Sequence, residues 1–331
     1  MKNVLLIAGL GERYYFDSFV KECKKRGKVK IFIFDPSCFP KELSISITMG
    51  REGQIDGFID VLECEDEDTK RVRLSISDIN IAWYLRDGIA NRNKQENSIE
   101  DRFARNESRA MLQSLFSVLK CNWVNQKANI DLLASNKLYQ QMIAGCCGLL
   151  TPKTLVSNDY GSVVSFSDPK EGLLLKSIGY IKLDDDRRFF LYSERFGHKE
   201  LSVSSKAIQR CPVFCQEYVE KHYEYRIMVI GNRILSCRID SQASEKTKTD
   251  WRHYDFGNVE HLQVELPKDV QQKLMSFMET IGLRYGAIDM IETPAKDFIF
   301  LEVNPSGQWG WIADIAGLPI PEAVAEMLES L

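Results

Sequence analysis

Short apolar runs between polar segments predict alternating strands and helices at the start of the chain. Residues 3–8 (NVLLIA) and 29–35 (VKIFIFD) each fit a buried strand, and the segment between them fits a turn followed by a helix. A third strand is expected over 79–86 (INIAWYLR), ahead of a long amphipathic helix. The predicted buried side chains of that helix are Phe103, Ala110, Leu115 and Leu119. This order of elements is typical of an α/β domain.

Beyond residue 120 the pattern turns first to a short helix and then mainly to strands. Asn136 is expected to cap a helix that Gly148 ends. Strands are predicted over 172–179, 212–219, 223–230, 233–241, 285–292 and 298–304. Amphipathic helices are predicted over 268–283 and 319–331. These changes in pattern predict three domains, over 1–120, 121–210 and 211–331.

Length, charge and hydropathy limit the classes of function. A chain of 331 residues is longer than one hydrophobic core usually serves. A net charge of -4 and a pI near 5.8 make nucleic acid a poor candidate partner. The longest apolar runs, such as 4–10, are too short to cross a bilayer, and the first residues lack the pattern of a signal peptide. We therefore expect neither a nucleic acid nor a membrane as partner.

Two common kinds of site fit the sequence poorly. The nine cysteines include no C-x-x-C pair and the four histidines are scattered, so ligands at zinc spacing are missing. Reduced thiols are typical of a cytoplasmic protein, which is the location we expect. Gly9 and Gly11 resemble part of a dinucleotide-binding loop, but Tyr14 stands where the third glycine belongs, and a tight turn explains both glycines. The acidic run 63–68 is expected to be a solvated loop.

The strongest chemical signal comes from the last two predicted strands. If they form a hairpin with a four-residue loop after Thr293, then Thr293 pairs with Phe298 and Asp289 lies opposite Glu302. Alternation of side chains along the second strand predicts a shared face for Phe300, Glu302 and Asn304. Two carboxylates at cross-strand distance repel unless a cation lies between them, and oxygen ligands on a rigid sheet suit Mg²⁺. The alternative is a solvated sheet edge, which the apolar neighbours of these residues disfavour.

Cationic side chains precede this pair of strands. Lys176 lies among leucines in a predicted strand, where an ammonium needs an anionic partner. Lys137 is in the first turn of a predicted helix, next to backbone N–H groups that favour anions. Arg226, Arg238 and Arg252 follow in the second half of the chain. Each is compatible with a surface charge by itself, but together they suit a ligand that carries phosphates.

The order of the charged and polar residues along the chain resembles that of ATP-grasp enzymes, whose two α+β lobes hold ATP between them. The residues that carry this resemblance are Lys137, Lys176, 216–219, Glu224, Asp289, Glu302 and Asn304. The resemblance implies a mixed α/β and α+β protein, with an ATP-grasp fold after a β-α-β pre-ATP-grasp domain. It implies that Lys137 and Lys176 bind the α- and β-phosphates of ATP and that Glu224 binds the ribose. The adenine is expected to contact the segment Gln216, Glu217, Tyr218 and Val219, chiefly the backbone of Glu217 and Val219. The resemblance assigns two Mg²⁺ ions to Asp289, Glu302 and Asn304. The candidates at the γ-phosphate or acyl phosphate are Arg226, Arg252 and Arg238.

Three blocks of sequence resemble a narrower family, the microviridin-type ATP-grasp peptide ligases, or graspetide macrocyclases. The blocks are 123–159, 216–252, and 286–292 with 300–312. The resemblance is strong over 120–331 and weak over 29–40 and 79–119. Where the family usually has Trp-Tyr-Arg-Arg-Pro, Leu85 and Asp87 depart from the pattern, so no function is carried onto that stretch. The segment before Cys211 lacks a glycine-rich phosphate lid, and its charged stretch 184–188 is a candidate lid or peptide contact.

The resemblance implies a ligase that activates Asp or Glu side chains of a ribosomally made precursor peptide as acyl phosphates. Ser, Thr or Lys side chains of the same peptide, which has a leader and a core rich in these residues, then close ω-ester or ω-amide rings. Asp240 is a candidate base, and a homodimer is expected. Two alternatives stay open. A RimK-like or D-alanine-ligase-like enzyme acting on free amino acids shares the ATP residues. A nucleotide-binding module without turnover would be expected to lack a metal ligand, and here all three are present.

Overall fold

The computed structural model describes residues 1–65, 68–86, 98–134, 136–178, 193–253 and 255–331. The strands are β1 Lys2–Ala8, β2 Val29–Phe34, β3 Ile45–Met49, β4 Ile55–Glu65, β5 Asp68–Ser75, β6 Ile81–Arg86, β7 Asn122–Trp123, β8 Thr154–Ser157, β9 Leu173–Lys176, β10 Glu194–Phe196, β11 Val213–Glu217, β12 Tyr223–Ile230, β13 Arg233–Ile239, β14 His261–Val264, β15 Tyr285–Glu292 and β16 Phe298–Asn304. The helices are α1 Asp17–Arg26, α2 Ile99–Val118, α3 Lys127–Ala134, α4 Lys137–Cys146, α5 Tyr160–Phe166, α6 His198–Ser202, α7 Ser205–Arg210, α8 Lys268–Thr280, α9 Gly310–Ala316 and α10 Ile320–Ser330.

The chain forms two compact units. The first comprises Met1–Ala128 and Pro319–Leu331, and the second comprises Asn129–Leu318. The last helix, α10, therefore belongs to the N-terminal unit, where Glu329 pairs with Lys28 at 3.0 Å. The predicted three-domain division, with its boundaries after 120 and 210, stays a prediction. None of the described helices combines the length and the apolar character that crossing a membrane requires.

The first unit is built on a mixed sheet in which the described strands run in the order β3-β4-β2-β1-β6-β7, with β5 paired to β4. The strands β1, β2 and β6 pair in parallel, as the β-α-β pattern predicts. The prediction of a loop over 63–68 was wrong, because β4 continues to Glu65 and β5 begins at Asp68. The charges of this hairpin are partly neutralised across the strands, where Arg71 lies 2.6 Å from the buried Asp60.

The long helix α2 is amphipathic over its last turns only. Leu115 and Leu119 are buried as predicted, whereas Phe103 is 66% exposed and Ala110 is also exposed. The reason is local, because packing begins near the end of the helix, where the Phe116 ring meets Tyr84 with their centroids 5.8 Å apart. The predicted burial of Phe103 and Ala110 was therefore wrong.

The second unit holds two antiparallel sheets among its described residues. The smaller has the order β10-β9-β11-β8, and its core joins Leu173 and Cys215 to Val163, Leu201 and Ile208 of helices α5 to α7. The larger has the order β14-β13-β12-β15-β16. Its apolar face packs against α8, whose side chains at a spacing of three to four residues (Val270, Leu274, Phe277 and Met278) are buried.

The hairpin of β15 and β16 has the predicted carboxylate pair but reaches it by a different register. Glu292, and not Thr293, lies opposite Phe298, and a bulge then shifts the pairing by one residue. Asp289 consequently lies opposite Glu302, which confirms that prediction. The predicted shared face of Phe300 and Glu302 was wrong, because the bulge turns Phe300 into the core, where its ring lies 4.8 Å from that of Phe277.

Candidate functional site

A cleft of about 680 Å³, including its open mouth, lies in the second unit and is lined by residues of both of its sheets. The predicted site residues in its lining are Lys137, Lys176, Gln216, Glu217, Tyr218, Val219, Glu224, Arg252, Asp289 and Glu302. The sequence-predicted residues thus come together at one place from eight separate elements or their connections.

Each of the two facing carboxylates has a cation of its own. The Lys137 ammonium lies 3.0 Å from Glu302, and Arg226 Nη1 donates to both carboxylate oxygens of Asp289 at 3.0 and 3.1 Å. Burial alone would raise the pKa of Glu302, but Lys137 and Lys176 outweigh it and lower that pKa to about 2. Burial raises the pKa of Asp289, and Arg226 acts against the rise.

The donor set at this edge of the sheet fits Mg²⁺ that is shared with a phosphate ligand. Asp289 and Glu302 face each other, and Asn304 follows on the same strand as Glu302, where its Oδ1 accepts from the N–H of Ser306 at 3.0 Å. Within the described ranges no group of three or more His, Cys, Asp or Glu side chains is close enough to hold a metal by itself. Oxygen ligands of low number, completed by waters and phosphate oxygens, are typical of Mg²⁺ sites.

Two lysines, one of them the partner of Glu302, could bind an anion in the cleft. Lys176 is half-buried at the end of β9, and burial lowers its pKa to about 8, although Glu302 acts against that change. Lys137 is the first residue of α4, whose cap Asn136 accepts from the N–H of Tyr139 at 3.2 Å as predicted. An ammonium at the N-terminus of a helix adds to the free N–H groups that favour a phosphate.

Arg252 is held by a carboxylate that the sequence analysis missed. Asp250 Oδ1 accepts from Arg252 Nε at 2.8 Å, and its Oδ2 accepts from Arg252 Nη2 and from the N–H of Ser193 at 3.1 Å. Burial would raise the pKa of Asp250, but Arg252 outweighs it and lowers that pKa to about 2. The signal was present in the sequence, because Asp250 precedes Arg252 by two residues in a polar segment.

Three predicted residues are not in the lining that the described residues form. Arg226 lies beside the lining, where it contacts Asp289. Asn304 is two residues after Glu302 on β16. Arg238 lies on β13 opposite Tyr225, and its guanidinium covers the ring of Tyr223 at 4.3 Å. Since cross-strand partners share a face, Arg238 is on the face of the sheet opposite to Arg226, and its predicted catalytic role stays a prediction.

The end of β11 supplies the wall predicted to hold adenine. The N–H of Glu217 donates to the carbonyl of Lys153 at 3.1 Å, and Glu217 Oε1 accepts from the N–H of Lys153 at 2.9 Å. Gln216 is buried, its Nε2 donates to Thr154 Oγ1 at 3.2 Å, and its Oε1 has no partner among the residues that the structure describes. Buried acceptors are normally paired, so this wall is compatible with a ligand that brings a donor.

Glu224, the predicted ribose ligand, has a buried partner that the sequence analysis also missed. Lys221 Nζ lies 2.8 Å from Glu224 Oε1 and donates to the carbonyl of Thr249 at 2.9 Å. Burial raises the pKa of Glu224, and Lys221 acts against the rise. Lys221 occurs in the polar stretch between β11 and β12, where no pattern distinguishes it. The predicted lid or peptide contact at 184–188 lies outside the described residues.

Comparison with known proteins gives a consistent result from solved structures. No protein-family model and no curated protein matches the chain. The chain is similar to macrocyclase MdnC from Microcystis aeruginosa MRC, crystallised with precursor peptide MdnA, at 28% identity and a TM-score of 0.82 over 98% of this chain and 99% of that one. It is also similar to a RiPP-associated ATP-grasp ligase from Chryseobacterium gregarium, in complex with ADP and a leader and core peptide, at 24% identity and a TM-score of 0.84 over 99% of this chain and 96% of that one.

A third similar structure is the ATP-grasp ligase PsnB, complexed with a phosphomimetic variant of its minimal precursor, Mg and ADP. The sequence of PsnB is 16% identical to this chain and the TM-score is 0.75, over 100% of this chain and 98% of that one. The likeness in fold extends over nearly the whole chain in all three cases, which confirms the predicted ATP-grasp fold. Over nearly its whole length the chain is therefore similar in fold to solved ATP-grasp ligases of the microviridin type, in agreement with the sequence blocks described above.

Proposed function

We propose that this protein is an ATP-dependent macrocyclase that closes ω-ester or ω-amide rings in a ribosomally made precursor peptide. The observation that carries the proposal is that Lys137, Lys176 and Arg252 line the same cleft as the carboxylates Asp289 and Glu302. The similar structures hold precursor peptides, ADP and Mg, which supports ATP, Mg²⁺ and a peptide as ligands here. The number of Mg²⁺ ions is part of the proposal, and we infer two.

The residues present can hold ATP as a substrate. In this proposal the backbone of Glu217 and Val219 contacts the adenine and Glu224 accepts from the ribose hydroxyls. Lys137 and Lys176 neutralise the α- and β-phosphates. Asp289, Glu302 and Asn304 hold Mg²⁺, which offsets the negative charge of the phosphates when bound. Lys137 and Arg226 are now paired with Glu302 and Asp289, and in this proposal they face the phosphates once Mg²⁺ is held by those carboxylates.

The reaction then needs positioning and charge more than an enzyme nucleophile. A carboxylate oxygen of a substrate Asp or Glu forms a bond to the γ-phosphorus, while the bond from that phosphorus to ADP breaks. Arg252, fixed by Asp250, and Arg226 stabilise the negative charge on the transferred phosphoryl group. A hydroxyl or amine of the same peptide attacks the acyl carbon, phosphate leaves, and one proton is released. The peptide loses one water for each ring, and the proposed base Asp240 stays a prediction.

The experiment that tests this function compares acceptors. The protein with ATP and Mg²⁺ should release ADP on addition of a precursor peptide encoded beside its gene, and should not respond to free amino acids. The reverse preference would favour the RimK-like alternative. A protein that binds ATP but releases no ADP with either acceptor would favour the module without turnover.

Two finer features belong to the same proposal. We infer a peptide with a leader and with a core rich in Asp or Glu and in Thr, Ser or Lys, because only those side chains supply the acid and the acceptor. A homodimer and a cytoplasmic location remain predictions. Sedimentation of the purified protein tests the dimer directly.

A further inference from the structure

Lys221 and Glu224 form a buried ion pair in the wall of the cleft. Their side chains are only 5% and 6% exposed, and Nζ lies 2.8 Å from Oε1. Both residues line the cleft. A buried ion pair is weak support for stability, because an apolar pair of similar volume is often as stable. The pair therefore calls for a functional explanation.

The Lys221 ammonium also reaches a second element. It donates to the carbonyl of Thr249 at 2.9 Å, one residue before Asp250, which in turn holds Arg252 through both carboxylate oxygens. One side chain thus connects the carboxylate on β12 with the segment that carries the arginine at the phosphate end. Removal of this ammonium would leave Glu224 with Ser241 as its remaining hydrogen-bond partner and would break the bond to the Thr249 carbonyl.

We propose that Lys221 is a positioning residue that holds Glu224 as a charged acceptor for the ribose hydroxyls and holds the Thr249–Arg252 segment against the cleft. This role rests on the proposed ATP-dependent function. The ligand chemistry is a ribose diol, because a carboxylate accepts from both hydroxyls while Lys221 occupies Oε1 from the protein side. Without Lys221, a carboxylate buried in this wall would gain a proton and lose acceptor capacity.

The test measures how strongly the protein distinguishes ATP from 2′-deoxy-ATP and 3′-deoxy-ATP. Titration calorimetry with Mg²⁺ gives the dissociation constants for the unaltered protein, Lys221→Met, Glu224→Gln and the double variant. The unaltered protein should bind at least one deoxy analogue about tenfold more weakly than ATP, the value of a hydrogen bond to a charged acceptor. Both single variants should bring this ratio close to one, and the double variant should show no further change, because Lys221 acts through Glu224.

A second readout concerns the segment of Arg252. Glu224→Gln keeps the bond from Lys221 to Thr249, whereas the double variant loses it, so the double variant should have the lower kcat for peptide-dependent ADP release. Lys206→Met is the matched control, since Lys206 is exposed on α7 of the same unit and should leave the ratio and kcat unchanged. The double variant carries no buried charge at this pair, so it remains testable if Lys221→Met does not fold.

Each result has a separate meaning. If the unaltered protein does not bind ATP, the proposed function is contradicted. If it binds ATP and both deoxy analogues equally, or if the double variant keeps the original ratio, Glu224 is not the ribose acceptor, and the role of Lys221 is overturned with it while the ATP-dependent function stands. If only folded Lys221→Met keeps the original ratio, the role of Lys221 alone is overturned. Equal kcat values for Glu224→Gln and the double variant would overturn the part played by Thr249.

Discussion

At the scale of single residues, the site is a set of opposite charges that are already paired. Lys137 neutralises Glu302, Arg226 neutralises Asp289, and Asp250 fixes Arg252. Such pairing lets buried charges exist before a ligand arrives. In the proposed function, Mg²⁺ would be held by the carboxylates, and the cations paired with them now would be free to face the phosphates of ATP. Two substitutions follow from this picture.

Glu302→Gln should keep the fold and remove activity. The amide has the same shape and can still accept from Lys137, but it lacks the charge that binds a metal. Since a metal offset of several kcal/mol would be lost, peptide-dependent ADP release should fall by about 100-fold or more. Thermal unfolding checks that the fold is kept, and Glu279→Gln on the exposed side of α8 is the control. Near-normal turnover by folded Glu302→Gln would remove Glu302 from the metal site.

The lowered pKa of Lys176 predicts a pH dependence of nucleotide binding. Its pKa is lowered to about 8, so the side chain is charged below that pH and becomes neutral as pH rises through it. Affinity for ATP should therefore weaken between pH 7 and 9, by up to about tenfold if binding requires the charged form. Lys176→Arg should flatten this dependence, because a guanidinium stays charged. A flat profile for the unaltered protein would contradict a lowered pKa for a Lys176 that contacts the phosphates.

The charged residues of the cleft could be predicted from the sequence better than the side chains that pair with them. Lys137, Lys176, Asp289 and Glu302 stand out because each is a charge in an apolar or capping context. Lys221 lies in a polar stretch and shows no such contrast, so its burial depends on how a later segment folds over it. Partners of this kind are decided by tertiary packing, which a linear pattern does not report.

At the scale of elements, the turn after β16 is packed against the site. Arg226 Nη2 donates to the carbonyl of Gln308 at 3.2 Å, and Tyr285 Oη donates to the carbonyl of Gly307. A Cβ on Gly307 would collide with the Cβ of Ala287 and lie 2.9 Å from Arg226 Nη2. The lack of a side chain at Gly307 therefore lets the turn approach Arg226 closely.

Gly307→Ala should displace Arg226 and lower kcat. A shift on the order of 1 Å at a catalytic group can cost about 100-fold in rate, so we expect a large loss in peptide-dependent ADP release. ATP affinity should change less, because the nucleoside end of the cleft is untouched. Gly145→Ala is the matched control, since a Cβ there meets nothing within 4 Å in helix α4. Unchanged kcat in folded Gly307→Ala would contradict the positioning of Arg226 by this turn.

The elements themselves were largely predictable, and their register was not. Apolar runs located β1, β2, β6 and, in the larger sheet, β12, β13, β15 and β16 to within a few residues, whereas the short edge strand β14 was not predicted. The bulge that leaves Leu301 unpaired gives no sequence signal, although it decides that Phe300 enters the core and Glu302 the cleft. The hairpin of β4 and β5 was missed because its charged side chains hid an alternating apolar face that includes Val61 and Leu74.

At the scale of the whole molecule, the pattern of elements alone indicated only an α/β start and a strand-rich remainder. The order of the charged residues, through the resemblance to ATP-grasp enzymes, added the fold, and the structural likeness to MdnC confirms it. The linkage formed and the ring pattern depend on the peptide, whose sequence this chain does not contain. The sequence of the ligase alone therefore does not determine the linkage or the ring pattern.

A macrocyclase must give a product that is a ring and not an extended chain. The direct measurement is the intact mass of the neighbouring precursor peptide after incubation with the protein, ATP and Mg²⁺. Loss of one or more whole waters, with ADP formed alongside, is the predicted result, and mild base should restore the water from esters and not from amides. A mass gain equal to an added amino acid would contradict the claim and support a ligase that joins free amino acids.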